Sequence, residues 1–322
     1  MILQARIAMA RGKWRRCTLL TLLSLAALWV VVAALQFPYD VDAPISARET
    51  EEVRRYYADA YRQSSAAPQE QSTSELETKY LRMAAQAAEN YHIPDLVQSF
   101  VGRYGLRQRP VLEIGSGRGY LQDAADDYTG LDISPTVGRF YRKKFVLGSA
   151  TALPFADCSF DGAWSIWVFE HVQNPEQALS ELRRVMRDNG EVLMCPAWNC
   201  VSWHANGYEV RPYSDFNLAG KLIKASIPIR ASLPYRAAGY VLGRAIRDIG
   251  SRLGGPTRLR YHRLVPNYQE YWQADSDAVN GIDRYDVMLW FRSRGDQCLN
   301  CDGLAGTPLM KSDPLIIRIH KP

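Results

Sequence analysis

Three glycines within five residues, Gly115, Gly117 and Gly119 in Glu113-Ile114-Gly115-Ser116-Gly117-Arg118-Gly119, follow a short apolar run and point to ligand chemistry. Glycine is needed where a ligand must approach the backbone, or where a turn uses conformations barred to a residue with a Cβ. The third glycine stands four residues after the first, whereas the dinucleotide fingerprint has five. The acid that opens the loop suits a cationic amino-acid tail better than a pyrophosphate. Asp132 closes the next apolar run, Tyr128 to Ile133, where a carboxylate accepts the hydroxyls of a ribose. Three residues are candidates for taking a proton from a nucleophile: His171, His204 and Tyr213. His171 is equally readable as a capping or supporting residue. Cys298-Leu299-Asn300-Cys301 has zinc-ligand spacing, and Cys195 and Cys200 could complete a four-thiolate set. Ordinary buried thiols are the plainer reading, and no metal site is expected.

More motifs follow in order: Gly148-Ser149-Ala150-Thr151-Ala152-Leu153-Pro154-Phe155, Ser159-Phe160-Asp161, Phe169-Glu170-His171-Val172, and the run from Leu182 to Glu191. With the glycine loop and Asp132 they closely resemble the class I S-adenosylmethionine-dependent methyltransferase family, particularly its small-molecule branch, over about residues 110–197. The resemblance implies a seven-stranded, mostly parallel Rossmann-like sheet with helices on both faces, and S-adenosyl-L-methionine as cofactor. Carried over by position, it implies that Glu113, Gly115, Ser116, Gly117 and Gly119 hold the methionine end. Asp132 and Ile133 would meet the ribose, Ser149 and Ala150 the adenine, and Ser165 would complete the cofactor side. Ser149 stands where the family usually has an acid, so a hydroxyl or backbone group must contact the adenine amino group. In-line methyl transfer needs mainly alignment and exclusion of water, with a base only for an unionised hydroxyl or an ammonium.

These residues need a scaffold. Short apolar runs alternating with helical segments from Pro110 onward predict a parallel sheet covered on both faces, with strands at 110–115, 128–133, 144–148, 162–168 and 190–196. Two more strands, at 284–292 and 314–320, are expected to close it. Pro175 to Arg187 reads as a helix from Ala178, Leu179, Leu182 and Val185. The chain then divides into a basic segment 1–16, a transmembrane helix 17–37, a helical stalk and linker 38–92, a methyltransferase core 93–198, a basic and partly amphipathic insertion 199–283, and closing strands 284–322. Ser46-Ala47-Arg48-Glu49 has the form of a capping box at the start of the stalk.

From Cys17 to Phe37 the sequence carries no charge and spans roughly 30 Å as a helix, enough to cross a bilayer core. A cleaved signal is the rival, but the run is long and lacks a clear cleavage site. The insertion holds ten Lys or Arg between Phe216 and Arg263 against one acid, Asp248. Ala238, Val241, Leu242, Ala245, Ile246, Ile249 and Leu253 fall on one helix face, with Arg244, Arg247 and Asp248 on the other. That segment reads as a lid or as a surface lying on an anionic membrane. The expected partner is therefore a small-molecule or lipid-linked acceptor, such as a glycolipid, a polyprenyl-linked sugar or a quinone. No nucleic acid is expected: the net charge of +5 is mild, and Ser165-Ile166-Trp167-Val168 stands where base-methylating enzymes carry a Pro-Pro loop. Basic residues before the anchor and acids after it predict a translocated catalytic domain, whereas cytosolic cofactor supply favours the cytoplasmic face, which we adopt. The rivals are a nicotinamide-dependent oxidoreductase and a non-catalytic methyltransferase-like binding protein.

Overall fold

A computed structural model describes residues 2–62, 75–302 and 314–321. It begins with α1 (Ile2–Leu35), α2 (Ala47–Ala60), α3 (Glu75–Asn90) and α4 (Ile93–Arg103). Strands β1 (Val111–Ile114), β2 (Tyr128–Asp132), β3 (Lys144–Leu147) and β4 (Phe160–Ile166) then lead through α5 (Pro175–Val185) to β5 (Met186–Cys195). The insertion carries α6 (Leu218–Arg230), α7 (Leu233–Leu253) and a two-stranded ribbon of β6 (His262–Arg263) and β7 (Asn280–Gly281). Helix α8 (Arg284–Arg292) and strands β8 (Gln297–Cys298) and β9 (Leu315–Arg318) end the chain.

The seven-stranded sheet runs β3-β2-β1-β4-β5-β9-β8, with β1 to β5 parallel and β9 antiparallel to both its neighbours. Every residue of β1 and β2 is buried, as central parallel strands covered on both faces require. On one face Leu112, Ile114 and Met194 pack with Leu179 and Leu182 of α5 and Leu289 of α8. On the other, Val111, Tyr128 and Trp164 pack with Val97 and Phe100 of α4. The strand order reverses between β1 and β4, which puts a crevice at their carboxyl ends.

Two expectations are corrected. Residues 284–292 form a helix and not a strand: Asp283 caps it, its side chain accepting from the Tyr285 amide. Arg284 to Phe291 are all buried, so no polar face marks the helical period. Residues 38–62 do not behave as a free stalk. Asp40 bridges Tyr261, and the Asp42 carboxylate accepts from the amides of Glu176 (3.3 Å) and Gln177 (2.7 Å) in the first turn of α5. The Ser46–Glu49 capping box starts α2, which buries Val53, Tyr56, Tyr57 and Ala60. The linker at 63–74 lies outside the described residues.

Helix α7 turns its two central arginines inward and the C-terminal part of its apolar face outward. Arg244 is 3% exposed and pairs with Asp283 at 2.6 Å, and Arg247 pairs with Asp286 at 2.6 Å. Ile246, Ile249 and Leu253 point outward, at 53%, 58% and 83% exposure. The two acids lie at the start of the buried α8, so the arginines must face inward to neutralise them. Gly239 and Gly243 on the same inner face admit Gln36 and Phe37 from the end of α1, and the Gln36 side-chain amide donates to the Tyr235 carbonyl at 2.6 Å.

Candidate active site

A cavity of about 840 Å³ opens at the crevice. Its floor is the sheet: Ile114 and Gly115 after β1, Asp132 and Ile133 after β2, Ser149 and Ala150 after β3, and Trp167 and Val168 after β4. Its roof comes from outside the sheet, with Val53 and Tyr57 of α2 and Tyr61 at its C-cap, Tyr80, Met83 and Ala87 of α3, and Tyr271 of the insertion.

The glycine loop is built for close approach. Gly115, Gly117 and Gly119 have φ of +70°, +49° and +70°, and a Cβ on Gly115 would stand 2.1 Å from Val168. The Asp132 carboxylate ties this loop to β2, accepting from the Gly117 amide (2.9 Å) and the Ser134 amide (2.8 Å). Burial raises its pKa against those backbone donors. Ser149 turns its hydroxyl back on Thr151, 2.8 Å from the Thr151 hydroxyl, which leaves its backbone at the cavity wall.

Of the residues singled out from sequence, Gly115, Asp132, Ile133, Ser149, Ala150 and His171 line the cavity. Ser116, Gly117 and Gly119 shape the loop beside it. Glu113 turns beneath the loop, where it accepts from the Tyr128 hydroxyl, and burial pushes its carboxyl up to about 8. Ser165 is buried at the end of β4 with its hydroxyl unpartnered, an orphaned polar group beside the crevice. His204 pairs with Glu209 at 3.3 Å and Tyr213 is 49% exposed; neither lines the cavity. Cys298 and Cys301 are joined as a disulfide, which removes them from any thiolate metal set. Cys195 lines the cavity and Cys200 is buried nearby, with burial raising the pKa of both thiols.

Sequence reasoning missed the aromatic roof and the acids behind His171. Tyr57, Tyr61, Tyr80 and Tyr271 form a connected set of rings over the cavity, with the Tyr61 and Tyr80 hydroxyls 3.4 Å apart. Tyr57 and Tyr61 stand four apart, a helical spacing that was visible in the sequence. Asp275 and Asp277 come from the insertion, with nothing in their surroundings to mark them. Asp277 is fully buried and accepts from Tyr57 at 2.9 Å. Burial alone would lower the His171 pKa, but Asp277 and Glu170 outweigh it and the net shift is upward. Burial raises the Glu170 carboxyl to about 7.

Residues 112–194 match the protein family described as a methyltransferase domain. They form a class I S-adenosylmethionine-dependent methyltransferase domain. The methyltransferase is 28% identical over 198 residues to the malonyl-[acyl-carrier protein] O-methyltransferase of Erwinia pyrifoliae, covering 52% of this chain and 72% of that protein. It is 33% identical over 93 residues to the demethylmenaquinone methyltransferase of Renibacterium salmoninarum, covering 26% of this chain and 39% of the relative. Among solved structures, the 1,6-didemethyltoxoflavin-N1-methyltransferase of Burkholderia thailandensis, with bound S-adenosylhomocysteine, is 18% identical at a TM-score of 0.29, covering 49% of this chain and 66% of that one. The methyltransferase uses S-adenosyl-L-methionine, and its cavity fits that cofactor: the positive-φ Gly115, the Asp132 carboxylate and the Ser149-Ala150 turn all line it.

Proposed function

We propose that this methyltransferase is anchored in a membrane by α1, with its catalytic domain on the cytoplasmic side, and that it methylates an amphiphilic acceptor at the bilayer surface. The acceptor is a glycolipid, a polyprenyl-linked sugar or a quinone-like molecule. The observation that carries this reading is the outward apolar face of the insertion beside α1. Arg16–Leu35 is long and apolar enough to cross a bilayer, and its C-terminal end packs on α7. Alongside it α6 exposes Leu218, Leu222 and Ile229, and α7 exposes Leu233, Ile246, Ile249 and Leu253. An apolar patch of that extent is costly in water and fits an interface with lipid. Arg244 and Arg247 face inward to Asp283 and Asp286, while Lys221, Arg236, Arg252 and Arg258 stay at the surface, where they add attraction to anionic headgroups. One relative is named a demethylmenaquinone methyltransferase, which supports keeping a quinone-like acceptor in view.

The residues divide the work along the cavity. Gly115 lets the backbone approach the cofactor, Asp132 takes the ribose hydroxyls, and the Ser149-Ala150 turn meets the adenine. When bound, the cofactor supplies a methyl on a sulfonium, and its transfer leaves a neutral thioether. The tyrosine roof excludes water and holds the two reactants in line. Val53, Met83 and Ala87 give the cavity an apolar wall suited to an acceptor with a hydrocarbon part.

The test is to incubate full-length protein in lipid nanodiscs with methyl-labelled cofactor and a membrane lipid extract. Label is expected in the lipid phase, as a single species with a mass gain of one methyl. Label found in water-soluble acceptors alone would overturn the amphiphilic reading. Reporter fusions at the C-terminus check orientation, and activity confined to an exported reporter would reverse it.

A further inference from the structure

Glu170, Asp275 and Asp277 gather around His171. Glu170 is fully buried and neither carboxylate oxygen has a hydrogen-bond partner. His171 Nε2 stands 3.7 Å from Glu170 Oε1, and His171 Nδ1 stands 3.6 Å from Asp277 Oδ2. Asp275 completes the group: one donor atom each from Glu170, His171 and Asp275 lie within 4.8 Å of one another. The 3.7 Å separation of His171 Nε2 from Glu170 Oε1 is too long for a hydrogen bond, which lies at about 2.7–3.2 Å. Two donors that share a cation through bonds of about 2.1 Å stand roughly 3–4 Å apart, as Glu170 and His171 do, and Asp275 lies within reach of both. Carboxylates removed from water without hydrogen bonds also need a countercharge, since each unpaired ion costs several kcal/mol.

We propose that Glu170, His171 and Asp275 form a divalent metal site on the acceptor side of the cavity. One imidazole with two carboxylates suits a first-row ion between Mn²⁺ and Zn²⁺ in character. Asp277 takes the outer position: the second ring nitrogen of His171 faces it, as in metal sites where a carboxylate fixes the ring and its tautomer. The Tyr57 hydroxyl holds Asp277 in turn at 2.9 Å. His171 and Asp275 line the cavity while Glu170 lies behind them, so the open coordination positions face the acceptor. An oxygen of the acceptor is the natural further ligand, and the ion then orients it toward the methyl group. The site shares no residue with the glycine loop or Asp132, so metal and cofactor bind through separate groups.

The experiment uses full-length protein in detergent, stripped with a chelator and titrated with Mn²⁺ by electron paramagnetic resonance. One saturable Mn²⁺ per chain is expected, displaced by Zn²⁺ and at least tenfold weaker in Asp275→Asn and His171→Gln. Cofactor binding by calorimetry reports whether each variant keeps its fold. A measurement on the unaltered protein needs no variant: bound Mn²⁺ should strongly broaden the methyl resonance of ¹³C-methyl-labelled cofactor. Absence of saturable binding, an affinity unchanged in both variants, or an unbroadened methyl signal would each overturn the site.

Discussion

At the residue scale, the convergence of Gly115, Asp132 and Ser149 on one cavity could be expected from sequence, because glycine and aspartate at fixed spacing after consecutive strands have few other uses. Gly115 shows why: its Cβ would meet Val168, and its φ of +70° disfavours any side chain. Gly115→Ala is expected to weaken cofactor binding by at least tenfold, read by calorimetry, with a lower melting temperature. Glu113 was legible as an important acid but not in its placement. Burial raises its folded pKa to about 8, above the unfolded value near 4.5. Its contribution to stability is therefore full below about pH 4.5 and is lost as pH rises through 8. The fall in melting temperature between pH 5 and pH 8 should be larger in the parent than in Glu113→Gln; equal slopes would show that Glu113 ionises freely. The acids at 275 and 277 were illegible, because only the fold of the insertion brings them to His171.

The five parallel strands could be read at the element scale as short apolar runs bounded by turn residues, and α5 by its helical period. Helix α8 could not, since burial on every side erases the alternation that separates helix from strand. Helix α7 announced its amphipathicity but not which face meets protein, and that depended on the distant Asp283 and Asp286. The two faces should respond oppositely to substitution. Arg244→Ala strands a buried carboxylate and is expected to cost about 3–5 kcal/mol in thermal or denaturant unfolding. Ile249→Glu, on the outer face, should leave stability in detergent within about 0.5 kcal/mol. In bilayers, a fluorophore on a single cysteine at position 249 should be quenched by brominated lipid, and one at an inner-face position should not. Unquenched fluorescence at 249 would place α7 away from lipid.

For the whole molecule, the mutual contacts of the parts could not be read from sequence. The segment from 38 to 62 has the polarity of a stalk, yet its tyrosines close the active site and its acids engage the first turn of α5. Roof and floor thus come from opposite ends of the reading: the floor from local motifs, the roof from a helix far upstream. That arrangement predicts that Tyr61→Ala, which opens the roof over Gly117, raises the cofactor dissociation rate several-fold in stopped-flow measurements while leaving the sheet intact.

The short stretch between α1 and α2 is pinned by Asp40 to Tyr261 and by Asp42 to the start of α5. A bilayer anchor attached by a loose leash would let the catalytic centre sweep a wide volume of cytoplasm. With α1 in a bilayer, as proposed above, these contacts would hold the reactive centre at one height above the lipid, where it works as a ruler. Acceptors would then be selected by how far their nucleophile stands from their hydrocarbon tail, with headgroups that are too short or too long left unmethylated whatever their chemistry.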